Sequence, residues 1–300
     1  MNTLMLMPSN SSLAPPAGSK VLVRPNDWGL SSRKRALMLI RWAVRAASAA
    51  RQAEKVVIVT GGLELFVLAL LLRRKSLVAV DWLIPRSRSF DRFRILDRVQ
   101  FFVIRTADVE TLVRRFKISR RHINFVRFPA PEGPTIPATE GAYFYAAGWA
   151  HRDWETLLQA QMRCGLDIKI AANVMTSQPG VDVLGPLSPE AGRKILAASR
   201  AVVLPLLQTD LPSGPLVLLD AMAAEKAIVV SRVGGSADYV EDGVTALVVP
   251  PGDVVALAAA LTSLWHDSDL RHRLSGAAKR AASEWTQEQF WATVFESPTT

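Results

Sequence analysis

Residues 213–253 read SGPLVLLDAMAAEKAIVVSRVGGSADYVEDGVTALVVPPGD, and this stretch constrains the fold more than any other. A Gly214-Pro215 turn opens a short apolar helix over residues 216–224. The β-branched run Ile228-Val229-Val230 then reads as a buried strand. Gly234-Gly235 marks another helix start, and residues 244–249 give one more strand before Pro250-Pro251-Gly252-Asp253 stops it. Strands alternating with short helices predict a parallel sheet covered on both faces. Ligands of such sheets bind outside the carboxyl ends of the strands, where these Gly-rich turns fall. Backbone N–H groups and helix dipoles at those ends can hold an anion such as a diphosphate.

The same stretch resembles the donor-binding half of retaining family-4 glycosyltransferases. The resemblance rests on Leu218, Leu219, Ala221, Met222, Ala223, Lys226, Val230 and Ser231, on Gly234, Gly235, Val240, Asp242, Gly243, Thr245 and Leu247, and on the run from Val249 to Asp253. It continues more weakly over residues 142–290 and is faint before residue 135. It implies an α/β GT-B fold, with two Rossmann-like doubly wound parallel-sheet domains facing across a cleft. In that family two glutamates eight positions apart contact the donor sugar and the ribose. The second falls on Asp220, which keeps a carboxylate, and the first on Pro212, which cannot hydrogen-bond through its side chain. Asp210 either substitutes for the lost glutamate or merely caps a turn.

A chain of 300 residues with 49% apolar content suits two domains of ordinary size. The boundaries expected are 1–134 for a basic acceptor-side domain, 135–286 for a nucleotide-sugar domain, and 287–300 for a helix crossing back onto the first. The lone Cys164 excludes a disulfide framework and points to a reducing cytoplasm. The four histidines show no metal-ligand spacing, and neither a metal nor a cofactor is expected. Residues 1–140 carry 24 Lys and Arg against 10 Asp and Glu, whereas residues 141–300 carry 12 against 17. The basic half suits an anionic membrane surface, a lipid-linked phosphate acceptor or an acidic glycan. Nucleic acid ranks well below these, because no nucleic-acid motif is present. Residues 1–16 lack the basic front and apolar core of a signal peptide, and residues 56–72 are too short and too interrupted for a membrane span.

In the first half, strands are expected at 21–23, 55–60, 77–80, 100–104 and 124–127, with helices at 33–53 and 63–72. Ser31 or Ser32 caps the first of these helices. Its apolar residues Ala36, Leu37, Ile40, Ala43, Val44 and Ala47 recur at helical spacing among arginines. It is either a sheet-covering helix with a solvated basic face or a helix lying on anionic lipid. Its first turn, Arg33-Lys34-Arg35, is the part placed to touch lipid or acceptor phosphate. Glu64 suits a helix N-terminus. Residues 85–98 carry five arginines, among them Arg86 and Arg88, and read either as an electropositive acceptor-side rim or as a solvated loop. Residues 128–134 break every pattern and read as a linker.

In the second half, strands are expected at 142–147, 167–171, 181–184 and 201–205, and helices at 154–163 and 189–198. Two more helices are expected within 253–285, and a last one over 287–295. The family resemblance implies a diphosphate-binding basic residue after the strand that ends at Gly148; Trp149 holds that place, and Arg152 is the nearby cation. Arg152 either contacts the diphosphate or pairs with Glu155 at the surface. The donor-binding set expected is Gly148, Arg152, Gly185, Asp210, Ser213, Gly214, Pro215, Leu216 and Asp220. Asp27 and Asp81 are the strand-end carboxylates available as a base if the reaction inverts, and each is otherwise a turn former.

The resemblance implies metal-independent transfer of a sugar from a UDP- or GDP-sugar to a polysaccharide or lipid-linked glycan. The setting it implies is bacterial cell-envelope synthesis, in the cytoplasm or peripherally on the inner face of the plasma membrane. A non-catalytic GT-B relative that binds a nucleotide, glycan or partner stands as the alternative, and a purely charge-driven adaptor as a third.

Overall fold

The computed structural model describes the whole chain except residues 1, 10, 26–30, 85–90, 92–93, 133–138, 149, 177, 210–214 and 297–300, and the Ser32 side chain. Its contacts divide the chain into two units, one of Met1–Arg127 with Gln287–Thr300 and one of Phe128–Thr286.

The first unit is built on a six-stranded parallel sheet with the order β2-β1-β3-β4-β5-β6. Its strands are β1 (Thr3–Pro8), β2 (Lys20–Arg24), β3 (Lys55–Val59), β4 (Ser76–Val80), β5 (Gln100–Val103) and β6 (Ile123–Phe125). The β3, β4 and β5 runs KVVIV, SLVAV and QFFV are buried almost throughout, as strands covered on both faces must be. Phe101, Phe102 and Phe116 are fully buried. Each such side chain contributes about 1.5–3 kcal/mol. β1 was not foreseen: beyond Thr3, TLMLMP has no β-branched residue, yet it pairs with both β2 and β3.

Helix α1 (Ser32–Ala49) follows β2, α2 (Glu64–Leu71) follows β3, and α3 (Thr106–Phe116) follows β5. Ser31 occupies the N-cap of α1, but its side chain makes no capping bond; only its carbonyl accepts, from Arg35 N at 2.9 Å. The buried face of α1 is also turned from the one the sequence pattern suggests. Leu39, Trp42, Ala43, Ala46, Ala47 and Ala50 face the core, and the Trp42 indole donates to Val23 O at 3.1 Å. Trp42 buries the larger ring area and satisfies its N–H only in this orientation. Leu37, Ile40 and Val44 are consequently left 51, 47 and 52% exposed.

A last helix, α9 (Gln287–Glu296), belongs to the first unit. Trp291 Nε1 donates to Ala14 O at 2.8 Å, and the buried Lys55 ammonium donates to Phe295 O at 3.2 Å.

The second unit holds another six-stranded parallel sheet, with the order β12-β11-β10-β7-β8-β9. Its strands are β7 (Phe144–Ala147), β8 (Ile168–Ala171), β9 (Val181–Val183), β10 (Ala201–Leu204), β11 (Ala227–Ser231) and β12 (Leu247–Val249). The helices are α4 (Trp154–Cys164), α5 (Pro189–Ala197), α6 (Leu216–Ala223), α7 (Val254–His266) and α8 (Ser268–Ser283). Asp153, Ser188, Asp253 and Asp267 cap α4, α5, α7 and α8 by accepting from the backbone N–H three residues on. Residues 234–239 form turns, not the helix expected there. The buried Ser236 hydroxyl accepts from Val233 N at 3.1 Å and donates to Ser231 O at 2.7 Å, a local bonding pattern that competes with a helical one.

Candidate functional site

In a doubly wound sheet the ligand crevice opens where the strand order reverses. In the second unit that switch point lies between β7 and β10, the adjacent strands from which the chain proceeds in opposite directions. The loop leaving β7 is fastened there. Asp153 N donates to Pro205 O at 2.9 Å, Leu207 N donates to His151 O at 3.0 Å, and Arg152 forms an antiparallel bridge with Leu206.

Arg152 therefore projects from the carboxyl edge of the sheet at its switch point. Its Nε donates to Ala147 O at 2.9 Å, and one terminal nitrogen donates to Ala150 O at 2.9 Å. Burial pushes its pKa down to about 10. A guanidinium desolvated in this way gains from any anion that comes within reach. The pair with Glu155 does not form; Glu155 accepts from Gln159 instead. Arg152 lines a small cavity together with Leu206, Pro215, Leu218, Gly235 and Ser236. The glycine turn after β11, the start of α6 and the β7 loop thus converge on one spot.

Gly148 serves this arrangement by its missing side chain. Its φ is +119°, and a Cβ there would lie 2.7 Å from Arg152 Cζ. Pro215 is the N-cap of α6, and Leu216 is the first helical residue. The first N–H groups of a helix have no intrahelical partner, and the dipole favours an anion beside them. Gly185 turns the chain after β9 with φ +68°, and no atom stands within 4 Å of where its Cβ would be. Ser213, Gly214 and Asp210, together with Pro212 and Trp149, lie outside the described residues.

The Asp220 carboxylate is half-buried on α6 and makes no ion pair or hydrogen bond among the described residues. Burial raises its pKa against the opposing influence of Arg193 on α5. The Tyr145 hydroxyl of β7 has its pKa pushed up to about 12, by burial first and then by Asp220 and Tyr143. A carboxylate costly to desolvate and still without a donor gains most from a ligand hydroxyl. Tyr145 and Arg193 were not singled out from the sequence; 75 residues separate Tyr145 from Asp220, and only the β7–β10 pairing brings their elements together.

At the carboxyl edge of the first unit, the candidate base Asp81 has φ +48° and accepts from the Arg105 guanidinium at 2.9 Å. Arg105 also holds Asp108. Burial lowers the Arg105 pKa, but Asp81 and Asp108 outweigh it and leave the pKa raised. Glu64 is fully buried and ion-paired with Arg24 at 2.8 Å, a stronger constraint than a helix dipole alone. Asp27, Arg86 and Arg88 lie outside the described residues. The described arginines of that segment, Arg94 and Arg98, precede β5 and so sit at the amino edge of the sheet, not on an acceptor-side rim. Arg33, Lys34 and Arg35 are exposed on the first turn of α1. Among the described residues no group of three or more His, Cys, Asp or Glu side chains is placed to hold a metal ion.

Residues 146–267 match the family described as "Glycosyl transferases group 1". That segment, about two fifths of the chain, is similar to a group 1 glycosyltransferase domain. The matched segment runs from β7 through α7 and contains every described member of the donor-binding set. A curated relative, the alpha-D-kanosaminyltransferase of Streptomyces kanamyceticus, is 25% identical over 173 residues. That alignment covers 56% of this chain and 44% of the relative, so less than half of the relative's length is spanned. Among solved structures, Anabaena Alr3699/HepE in complex with UDP superposes with a TM-score of 0.75 at 14% identity, covering 99% of both chains. WaaG, a glycosyltransferase involved in lipopolysaccharide biosynthesis, superposes with a TM-score of 0.64 at 12% identity, covering 94% of this chain and 88% of its own. The two parallel sheets with their covering helices are those of the GT-B fold.

Proposed function

We propose that this chain is a glycosyltransferase that uses a nucleoside-diphosphate sugar, UDP- or GDP-linked, as donor. The observation that carries the reading is the desolvated Arg152 at the β7/β10 switch point, sharing one cavity with the α6 start and the Gly235 turn. In this reading the diphosphate lies between the Arg152 guanidinium and the first N–H groups of α6. Stabilising charge on the departing diphosphate is the main electrostatic task of glycosyl transfer. A guanidinium and a helix dipole supply that stabilisation without a metal. Asp220 accepts from the ribose hydroxyls, which accounts for a half-buried carboxylate with no donor among the described residues. The UDP held by the Anabaena relative supports the same class of ligand.

The acceptor in this reading is a polysaccharide or lipid-linked glycan that meets the basic first unit. The engagement of Asp81 by Arg105 favours retention of configuration, which needs no protein base, over inversion, which does. The exposed Leu37, Ile40 and Val44, interleaved with Arg33, Lys34, Arg41 and Arg45 on α1, support docking on the anionic inner face of a membrane. No described helix is long and apolar enough to cross one.

A second reading, a non-catalytic GT-B relative, is favoured by Pro212 at the first glutamate position. Thermal unfolding against UDP-, GDP-, ADP- and dTDP-sugars finds the donor, and transfer of sugar from a donor that binds separates the two. A donor at about a hundred times its Kd should raise Tm by several degrees. Asp220→Ala should weaken that binding roughly tenfold or more, the cost of losing a charge-assisted hydrogen bond. No shift with any sugar nucleotide would favour the non-catalytic reading.

A further inference from the structure

The first unit has a second charged feature, at the edge of its sheet opposite Asp81. Arg73 precedes β4, residues 94–98 precede β5, and Arg121 and His122 precede β6. In a parallel sheet these positions share the amino edge. They line one cavity of about 620 Å³, whose principal walls are Arg73, Arg94, Asp97, Arg98, Arg121 and His122. That volume is within the range of small-molecule sites, and larger than a surface dimple between two side chains.

Besides Ile95 and Asp97, the wall is built of side chains that carry donors. Arg98 is committed to the fold, for its guanidinium donates to the carbonyls of Ala69 and Arg73 at the end of α2. Its pKa is lowered by burial first and then by the charge of Arg73. The Arg73 and Arg94 guanidinium groups make no ion pair or hydrogen bond among the described residues. Arg121 Nε donates to His122 Nε2 at 3.2 Å. A guanidinium always keeps its protons, so Nε2 is the acceptor and the ring proton sits on Nδ1. His122 is 7% exposed, and its Nδ1 has no hydrogen-bond partner. The Asp97 carboxylate stands 3.7 Å from it, beyond hydrogen-bond reach. Asp97 is the one carboxylate among the described residues of the wall, and it already accepts from Ser119 N at 2.8 Å. Three exposed guanidinium groups and a buried N–H with no acceptor converge on one concavity.

We infer that this cavity is a binding site for a phosphate group, carried by a soluble phosphorylated molecule or by a lipid headgroup, and separate from the donor site. Planar guanidinium forks match phosphate oxygens in pairs, and a cluster of them selects a doubly charged group over chloride. The donor site uses one arginine and a helix N-terminus; this site uses side chains alone, so the two are removable independently.

The test is carried out on the full chain in the Arg152→Ala background, so that the donor site does not contribute. Isothermal titration with inorganic pyrophosphate at fixed ionic strength reads the soluble arm, with sodium chloride as control. Co-sedimentation with phosphatidic acid vesicles, against neutral phosphatidylcholine vesicles, reads the lipid arm. Adding Arg94→Ala and Arg121→Ala should weaken whichever probe binds by about tenfold or more, the scale of two lost charge-assisted hydrogen bonds. Pyrophosphate binding would identify a soluble ligand, and vesicle binding alone a headgroup. Adding Arg33→Ala and Lys34→Ala instead, on α1, should leave pyrophosphate binding unchanged, and vesicle binding higher than in the Arg94/Arg121 variant. Arg73→Ala, at an exposed position, gives the same reading should the double variant melt early. Neither probe binding the Arg152→Ala chain, or equal binding with and without Arg94 and Arg121, would overturn the inference.

Discussion

Arg105 and Arg152 each follow a strand at the carboxyl edge of a parallel sheet, Arg105 after β5 of the first unit and Arg152 after β7 of the second. Their surroundings treat them oppositely. Two carboxylates hold Arg105 and raise its pKa despite burial, while burial pushes Arg152 down to about 10. Arg105 spends its donors on Asp81 and Asp108, whereas the two bonds described for Arg152 go to carbonyls of its own loop. Carboxylates thus close the sheet edge at Arg105, while Arg152 stands desolvated at the corresponding edge of the other sheet.

Removing either arginine tests that contrast. Arg105→Ala leaves Asp81 and Asp108 as like charges in a largely buried spot, and should cost about 3–5 kcal/mol of stability in urea unfolding. A cost below about 1 kcal/mol would mean that solvent screens the triad, and the contrast would fail. Arg152→Ala should act on catalysis more than on stability. A fall of about 10²–10³-fold in kcat/KM for the sugar nucleotide is expected, with a stability loss of about 1 kcal/mol. Equal effects on both would make Arg152 another structural arginine.

Gly148→Ala sharpens the same point without touching a charge. The added methyl would meet the guanidinium, at a φ that L-residues avoid, so a cost of about 1–3 kcal/mol and a displaced Arg152 are expected. Loss of donor-induced thermal shift with the arginine still present is the measurement; an unchanged shift would show that the position of Arg152 does not matter.

The smallest effect concerns Lys226, buried at the amino edge of the second sheet and donating to Thr139 O and Ser199 O at 2.7 and 2.6 Å. Burial pushes its pKa down to about 8 from an ordinary 10.5. The folded state therefore releases this proton before the unfolded state does. On this account stability is lowest below pH 8 and rises as pH climbs from there towards 10.5. Denaturant midpoints at the two ends of that window should show a smaller rise in Lys226→Met than in the parent chain, and equal slopes would count against a shifted lysine.

Much of this was legible in the sequence where local chemistry decides it. The β-branched run of β11 and the Asp and Ser caps of the second unit declare their elements without tertiary help. β1 did not, because an apolar run of Leu and Met has no period that distinguishes a buried strand from other buried segments. The face of α1 was misjudged because Trp42 outweighs Leu37 and Val44, and only the neighbouring Val23 carbonyl shows why. In the site, Arg152 and Asp220 were visible as charges in apolar surroundings. Their environment was not, since Tyr145 and Arg193 reach Asp220 through the packing of separate elements. The amino-edge arginine cluster was hidden for the same reason: its members are scattered over 50 positions, from Arg73 to His122, and parallel strand order assembles them.

The placement of α9 in the first unit sets an order of events during synthesis. Residues 287–296 leave the ribosome after residues 128–286, so the second unit can finish folding while the first still lacks the helix that takes up Lys55 and seats Trp291 against Ala14. The unit whose sequence begins first is thus completed last, and a nascent chain stalled before residue 287 should show a protected second sheet beside a first unit with its Lys55 ammonium still exposed to solvent.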